Sequence, residues 1–128
     1  MLPLNLDKAR YVSLSTYRRD GREVMTPVWI ASQGARHFIF SAPHAGKVKR
    51  IRANPRVRLA HCNAWGKLRS AWLVARAQIV ADEATAKIAY RALRKKYGFA
   101  LWIADCMSKL TGRYDKRVLI EVNLPPES

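Results

Sequence analysis

The pattern of apolar and polar residues predicts a series of short strands in the first two thirds of the chain. Residues 10–17, RYVSLSTY, alternate and are rich in β-branched and aromatic types, and the Asp-Gly pair at 20–21 suits a tight hairpin turn. The partner strand is predicted at residues 22–32, with Pro27 inside it. Because proline removes a backbone donor, we expect this strand to lie at a sheet edge or to bulge there.

Further strands follow the same pattern. We predict a third strand at residues 37–41, a fourth at 56–62 and a fifth at 70–81, where alternation places small and aliphatic residues on one face. A last strand is predicted at residues 117–124. Turn residues separate most of these segments, so neighbouring strands are expected to pair in antiparallel fashion.

Helical patterns interrupt and follow these strands. Residues 46–53, GKVKRIRA, fit a short helix that ends at Asn54, because the residue before a proline disfavours the α region. After Asp82, a suitable N-cap, the period becomes helical, and Gly98 divides two helical segments. The order of the elements predicts one mainly β domain over residues 1–128, a six-stranded antiparallel barrel with the helices packed outside.

The composition adds a strong positive charge to this fold. Lys and Arg residues number 24 against 9 Asp and Glu, which gives a formal net charge of +15. Such a charge attracts anions, whether nucleic acid, an acidic membrane surface or a polyanionic small molecule. The two cysteines have neither metal nor redox spacing, and no apolar run is long enough to span a bilayer. We therefore expect a soluble cytoplasmic protein with reduced thiols.

Six of the cations crowd into the short helix and the strand after it. They are Lys47, Lys49, Arg50, Arg52, Arg56 and Arg58. Val48 and Ile51 form the apolar stripe of the helix, whereas Lys47 lies in the first turn, where the helix dipole disfavours a cation. A phosphate at this N-terminus would offset the charge, with close backbone approach at Gly46 and a hydroxyl donor from Ser41. The alternative interpretation is a solvated basic helix face.

Several of these segments together resemble a known family. The chain reads STYRRDGREVMTPVWIA, then FIFSAPHAGKVKRIRANPRVRLA, then WLVARAQIV and LRKKYG. From about Tyr11 to Val122 this pattern is similar to the pyridoxamine 5′-phosphate oxidase-like split-barrel superfamily, and most of all to its branch that uses the deazaflavin coenzyme F420. The resemblance implies a split β-barrel of the FMN-binding type and a homodimer with the cofactor between its subunits.

The resemblance also implies which residues bind the cofactor. The ring of F420 or FMN would lie along Thr26, Pro27, Val28, Trp29 and Ile30. The phosphate would be held at Gly46 by Ser41, Lys47 and Arg50, while Trp72 of the partner subunit would contact the ring. In many relatives the loop before the lysine contains an arginine that also binds phosphate. Here that loop contains His44 and Ala45, which leaves the choice between F420 and FMN open.

The implied function is hydride transfer between the bound cofactor and a small organic substrate. F420 is favoured over FMN because it carries an oligoglutamate tail, which cations beyond the phosphate would attract. Those cations are Lys49, Arg52, Arg56 and Arg58. No side chain is assigned a catalytic role, and no metal-ligand spacing is present. The alternative is a non-catalytic basic protein of the same fold that binds a cofactor, haem or nucleic acid.

Overall fold

Strands and helices lie close to the positions that the sequence pattern predicts. The computed structural model describes Leu6 and residues 8–41, 45–110 and 118–124, and for residues 99–110 it describes the backbone alone. The elements within these ranges are β1 (Tyr11–Tyr17), β2 (Glu23–Val28), β3 (Ala31–Gln33), β4 (Arg36–Ser41), α1 (Gly46–Ala53), β5 (Arg56–Cys62), β6 (Leu73–Ile79), α2 (Glu83–Leu110) and β7 (Val118–Asn123).

The strands form one antiparallel sheet that curls into a half-barrel. Their order across the sheet is β2-β1-β5-β6-β7-β4-β3, so β2 and β3 lie at opposite edges. Only Trp29 and Ile30 connect these two strands, and a chain that short spans no more than about 10 Å. The sheet must therefore curl until its two edges meet at this connection. The predicted mainly β, barrel-like fold is confirmed.

The prediction of six strands was wrong at one place, because the segment predicted as a single strand over residues 22–32 forms both β2 and β3. The cause lies at Ile30, whose backbone N–H and carbonyl oxygen are each 2.9 Å from the hydroxyl of Tyr97. A side chain from α2 thus takes the place of a neighbouring strand and interrupts the ladder. The expectation for Pro27 is confirmed, since β2 is an edge strand and, within the described part of the chain, pairs with β1 alone.

Two apolar clusters stabilise the half-barrel. The first fills the inside of the curled sheet, and Val48 and Ile51 of α1 close one part of it, with relative exposures of 0% and 3%. The second lies between the outer face of β3, β4 and β7 and the helix α2. Its buried members are Ala31, Phe38, Ala89, Ala92, Leu93, Tyr97 and Leu119. The predicted placement of a helix outside the barrel follows from this second cluster.

Helix α2 has the predicted start and the predicted division. The side chain of Asp82 caps its N-terminus, with Oδ2 accepting a hydrogen bond from the Thr85 N–H at 2.8 Å. Gly98 has φ 44° and ψ −112°, values that interrupt the helical backbone. Just before it, the ammonium group of Lys96 donates to three carbonyl oxygens, which belong to Leu6, Ala9 and Ile30, at 2.8, 2.7 and 2.6 Å.

The ion pair between Arg36 and Glu121 gives a first prediction about stability. Arg36 Nε and Nη2 donate to the two carboxylate oxygens of buried Glu121, each at 2.8 Å. Replacing Arg36 by alanine removes both of these hydrogen bonds and leaves the carboxylate with the hydrogen bond of Gln78. Because the Arg36 side chain is 41% exposed, water already screens the pair, and we expect only a modest decrease in the free energy of unfolding at neutral pH.

The same pair should depend on pH in a defined direction. Hydrogen bonds from Arg36 hold the pKa of Glu121 below its ordinary value, in spite of burial. The pair therefore stabilises the fold above the ordinary carboxyl pKa of about 4.3, and the contribution is lost as pH falls through the lowered pKa. Urea unfolding at pH 7 and at pH 3.5 should show that the Arg36→Ala deficit shrinks in acid. An equal deficit at both values would contradict this account.

Candidate functional site

A pocket of about 240 Å³ lies where β2 leaves the sheet edge. Its lining residues are Pro27, Val28, Trp29, Phe40 and Lys47. Four of these belong to the predicted site, and the fold brings Lys47 of α1 to the predicted ring-binding segment of β2. Phe40 was not predicted as a site residue. The alternation of residues in HFIFS could have identified it, because this alternation places Phe40 on the face opposite Ile39, where it is partly exposed.

One side of the pocket is an aromatic wall. The Trp29 ring stacks on Tyr97, with ring centroids 4.5 Å apart and 7° between the planes. Phe40 meets the same indole edge-on, at 6.1 Å and 83°. Both are favourable aromatic geometries, so the indole plane is well defined. Such a wall can cover the apolar surface of a planar ligand.

The other side of the pocket is the N-terminus of α1. Among the described residues, no side chain caps this helix and no acidic residue lies in its first turn. The Val48 N–H donates to the Ala45 carbonyl oxygen at 3.1 Å, whereas the N–H groups of Gly46 and Lys47 precede the first intrahelical bond. The helix dipole adds a partial positive charge at this end. A methyl group on Gly46 would lie 2.5 Å from Nη1 of Arg50, so glycine allows the Arg50 guanidinium to lie over this turn.

Lys47 and Arg50 stand near this N-terminus under unfavourable electrostatic conditions. Burial, and secondarily the charge of Arg50, lowers the pKa of Lys47. Burial and the charge of Arg18 likewise lower the pKa of Arg50, whose Nε donates to Thr16 Oγ1 at 2.6 Å. No carboxylate among the described residues forms a salt bridge with Lys47 or Arg50. Partly buried cations that repel one another are characteristic of a binding site for an anion.

A second basic pocket of about 310 Å³ lies on the side of Arg18. Its lining residues are Tyr17, Arg18, Arg19, Gly21, Asn54 and Arg56. In the turn between β1 and β2, the carboxylate of Asp20 accepts hydrogen bonds from the backbone N–H and the guanidinium of Arg22, at 3.1 and 2.7 Å. Three arginines thus face this pocket, and two of them come from the β1–β2 hairpin, which the sequence reasoning did not include in the site.

The remaining predicted site residues occupy other positions. Thr26 is partly buried in β2, and Ser41 is buried at the end of β4, and neither lines the 240 Å³ pocket. The guanidinium of Arg58 lies over the Trp72 ring, 4.7 Å from the ring centroid, and Trp72 does not line the 240 Å³ pocket. Arg58 also binds Glu23 at 2.6 Å. The position of His44 lies outside the described residues.

One outer face of the sheet carries exposed apolar side chains. A row of residues in register crosses β2, β1, β5 and β6: Met25, Ser15, Arg58 and Val74. Residues in register share a face, and Met25 and Val74 are 55% and 56% exposed. Trp65 is 91% exposed on the turn after β5, and Gly66 of that turn lies against Pro27 of the pocket.

Comparisons with solved structures show the same fold. The haem storage protein HutZ from Vibrio cholerae gives a TM-score of 0.69 at 11% sequence identity. The alignment covers 95% of this chain and 86% of the HutZ chain. For an FAD-binding protein from Mesorhizobium loti the values are 0.58 and 20%, with coverages of 94% and 85%. For an F420 reductase they are 0.56 and 23%, with coverages of 98% and 97%.

Within the described residues, the structure contains no helix that is long and apolar enough to cross a bilayer.

Sequence comparison identifies the family. Among curated proteins, none matches the sequence of this chain significantly. The sequence model of the pyridoxamine 5′-phosphate oxidase family, however, matches residues 4–123, which is nearly the whole chain. The resemblance drawn from the strand, helix and lysine motifs is thereby confirmed, and the chain belongs to the pyridoxamine 5′-phosphate oxidase family.

Proposed function

We propose that the chain is an oxidoreductase that binds F420, or alternatively FMN, and transfers a hydride between this cofactor and a small organic substrate. The observation that carries the proposal is the pocket at the β2–β3 connection. An aromatic wall forms one side of it, and the cationic N-terminus of α1 forms the other. Proteins of the same fold include an FAD-binding protein and an F420 reductase, which supports a flavin-type cofactor.

The residues of the pocket fit a ring joined to a phosphate. Trp29 and Phe40 match the apolar faces of a flavin or deazaflavin ring, and Lys47 lies close enough to line the same pocket. The volume of about 240 Å³ is below the roughly 300–1,000 Å³ usual for small-molecule sites. A second subunit would supply the remaining walls, and we propose a homodimer with two such sites.

The protein would contribute binding, orientation and exclusion of water. The cofactor, when bound, supplies the hydride chemistry. Lys47 and Arg50 would hold the phosphate, which relieves the repulsion between their charges. Pro27 and Val28 would cover part of the ring against water, while Trp29 sets its orientation. The substrate would enter from the side of the ring that the pocket leaves open, and no side chain needs to act as a covalent catalyst.

The preference for F420 over FMN depends on cations beyond the phosphate. Arg58 contributes little to them, because it is already bound to Glu23. The 310 Å³ pocket instead groups Arg56 with Arg18 and Arg19, and the charge of Arg18 acts on Arg50, which we place at the phosphate. An oligoglutamate tail that leaves Lys47 and Arg50 would therefore meet three arginines.

Titration with F420 and FMN at two salt concentrations tests the proposal. We expect F420 to bind about tenfold more tightly at 20 mM salt, because exposed ion pairs of about 0.2–1 kcal/mol each add up along the tail. The gap should narrow at 500 mM salt, where the charges are screened. Replacing Arg18, Arg19 and Arg56 by alanine should weaken F420 binding by about 3- to 10-fold and FMN binding by less than twofold.

A matched control removes three exposed cations elsewhere. Arg91, Arg94 and Lys95 lie on the exposed face of α2, and their replacement by alanine changes the net charge equally. This control should leave both affinities within twofold. If FMN binds tightly and F420 binds no more tightly than FMN at low salt, Arg18, Arg19 and Arg56 must have a partner other than the F420 tail.

The alternative of a non-catalytic binding protein is tested on the same samples. The fold neighbour from Vibrio cholerae is a haem storage protein, so haem is included among the ligands. A Soret band in the purified protein, together with no binding of F420 or FMN, would indicate a haem-binding protein and not an oxidoreductase. An affinity for duplex DNA that falls steeply as the salt concentration rises, again without cofactor binding, would indicate a nucleic-acid-binding protein.

A further inference from the structure

Trp29, which forms the aromatic wall of the pocket together with Phe40, stacks on one residue of α2. The Tyr97 ring is parallel to the indole, 7° between planes and 4.5 Å between centroids. The Tyr97 hydroxyl accepts a hydrogen bond from the Ile30 N–H at 2.9 Å and lies 2.9 Å from the carbonyl oxygens of both Ile30 and Arg10. A single side chain thus fixes the ring of Trp29 and the peptide unit that follows it.

These contacts act where the chain passes from one sheet edge to the other. Trp29 and Ile30 are the two residues between β2 and β3, and Lys96 also binds the Ile30 carbonyl oxygen, at 2.6 Å. The direction of the Trp29 side chain depends on this backbone. Burial raises the pKa of Tyr97 to about 12, so its hydroxyl keeps its proton at any ordinary pH.

We propose that Tyr97 is a positioning residue for the cofactor ring. It fixes the plane of the Trp29 indole, and this plane determines how a planar ring lies in the pocket. Tyr97 itself is not among the residues that line the pocket, so its effect passes through Trp29. The inference rests on the proposed function, because it concerns the same pocket.

Two substitutions separate the ring of Tyr97 from its hydroxyl. Tyr97→Leu removes the stack and the hydrogen bonds, and the dissociation constants for FMN and F420 should rise at least tenfold. Tyr97→Phe keeps the stack and should give an intermediate rise, of about threefold. The decisive variant is Trp29→Leu with Tyr97→Leu, which should bind no more weakly than Trp29→Leu alone. Losses that add independently would overturn a role exercised through Trp29.

A second measurement needs no cofactor. In protein labelled with 5-fluorotryptophan, the ¹⁹F resonance of Trp29 is identified by its absence in Trp29→Leu. This resonance should shift or broaden in Tyr97→Leu. The control is Val122→Ala, which disturbs the other apolar cluster and should lower the melting temperature while leaving the resonance and both dissociation constants unchanged.

The two measurements separate the possible failures. If neither FMN nor F420 binds the wild-type protein, the proposed function fails, and the ¹⁹F resonance alone reports whether Tyr97 fixes Trp29. If a cofactor binds but Tyr97→Leu changes neither the resonance nor the dissociation constant, Tyr97 has no positioning role. The inference is supported if Tyr97→Leu shifts the ¹⁹F resonance and weakens cofactor binding in the wild-type protein, but causes no further weakening in Trp29→Leu.

Discussion

Replacing Lys47 by alanine is expected to weaken FMN binding by about 1.5–3 kcal/mol, or roughly 10- to 150-fold in dissociation constant. The reason is the position of Lys47, which lines the pocket and lies in the first turn of α1 beside Arg50. In the protein alone its charge is partly buried and repelled, and a bound phosphate removes that cost. Titration followed by flavin fluorescence measures the change.

The pH dependence of this deficit has a definite sign. Phosphate binding by Lys47 needs the protonated amine, and burial lowers its pKa below the ordinary value of about 10.4. As pH rises through the lowered pKa, the wild type must first protonate Lys47, so its advantage over Lys47→Ala should shrink. Comparing the two proteins at each pH cancels the ionisation of the flavin itself.

Lys87→Ala provides the control for loss of charge. Lys87 is exposed on α2, and its removal should change FMN affinity by less than twofold. An affinity of Lys47→Ala within twofold of the wild type would exclude Lys47 from the site and leave the cations of α1 as a solvated surface.

The parts of the fold that depend on neighbouring residues could be predicted from the sequence. Helix α1 has the predicted limits, because Pro55 ends it and its apolar spacing is local. The Asp-Gly turn, the cap at Asp82 and the division at Gly98 are also local features. The unfavourable position of Lys47 could be inferred for the same reason, since a cation in a first turn is visible in the sequence alone.

The parts that depend on distant residues could not be predicted. The break between β2 and β3 requires Tyr97, which follows Ile30 by 67 residues. Arg58 was assigned to the cofactor tail because Glu23, its partner 35 residues away, could not be identified from spacing. Likewise, Arg18 joins Arg56 only after β1 and β5 have paired. In each case the sheet topology, and not the local pattern, decides which residues meet.

We expect the wild-type protein to be a dimer at micromolar concentration and Trp65→Ala to be a monomer. Trp65 is 91% exposed, and Asn63 Oδ1 closes its turn by accepting hydrogen bonds from the backbone N–H groups of Trp65 and Lys67, both at 2.9 Å. Tryptophan is among the residue types most often found as interface hot spots, and large exposed apolar side chains on one surface indicate an interaction site. Exposed Met25 and Val74 on the adjoining sheet face extend the apolar surface.

The size of the expected effect follows from the symmetry. In a two-fold dimer the same residue is buried twice, and loss of a hot-spot tryptophan costs at least about 2 kcal/mol per copy, so the dissociation constant should rise by about a thousandfold. Light scattering should show a change from twice 14.6 kDa to 14.6 kDa. Leu124→Ala, which removes an apolar side chain of lower exposure after β7, should remain a dimer.

The same variant links assembly to the cofactor. Since one subunit offers a pocket of only about 240 Å³, a monomeric Trp65→Ala protein should bind FMN and F420 far more weakly than the wild type, although Lys47 and Trp29 are intact. Raising the concentration of the variant until it dimerises should restore binding. A wild-type protein that scatters as a 14.6 kDa monomer at micromolar concentration would contradict the dimer. A monomeric Trp65→Ala protein with undiminished cofactor affinity would show that one chain holds the whole site.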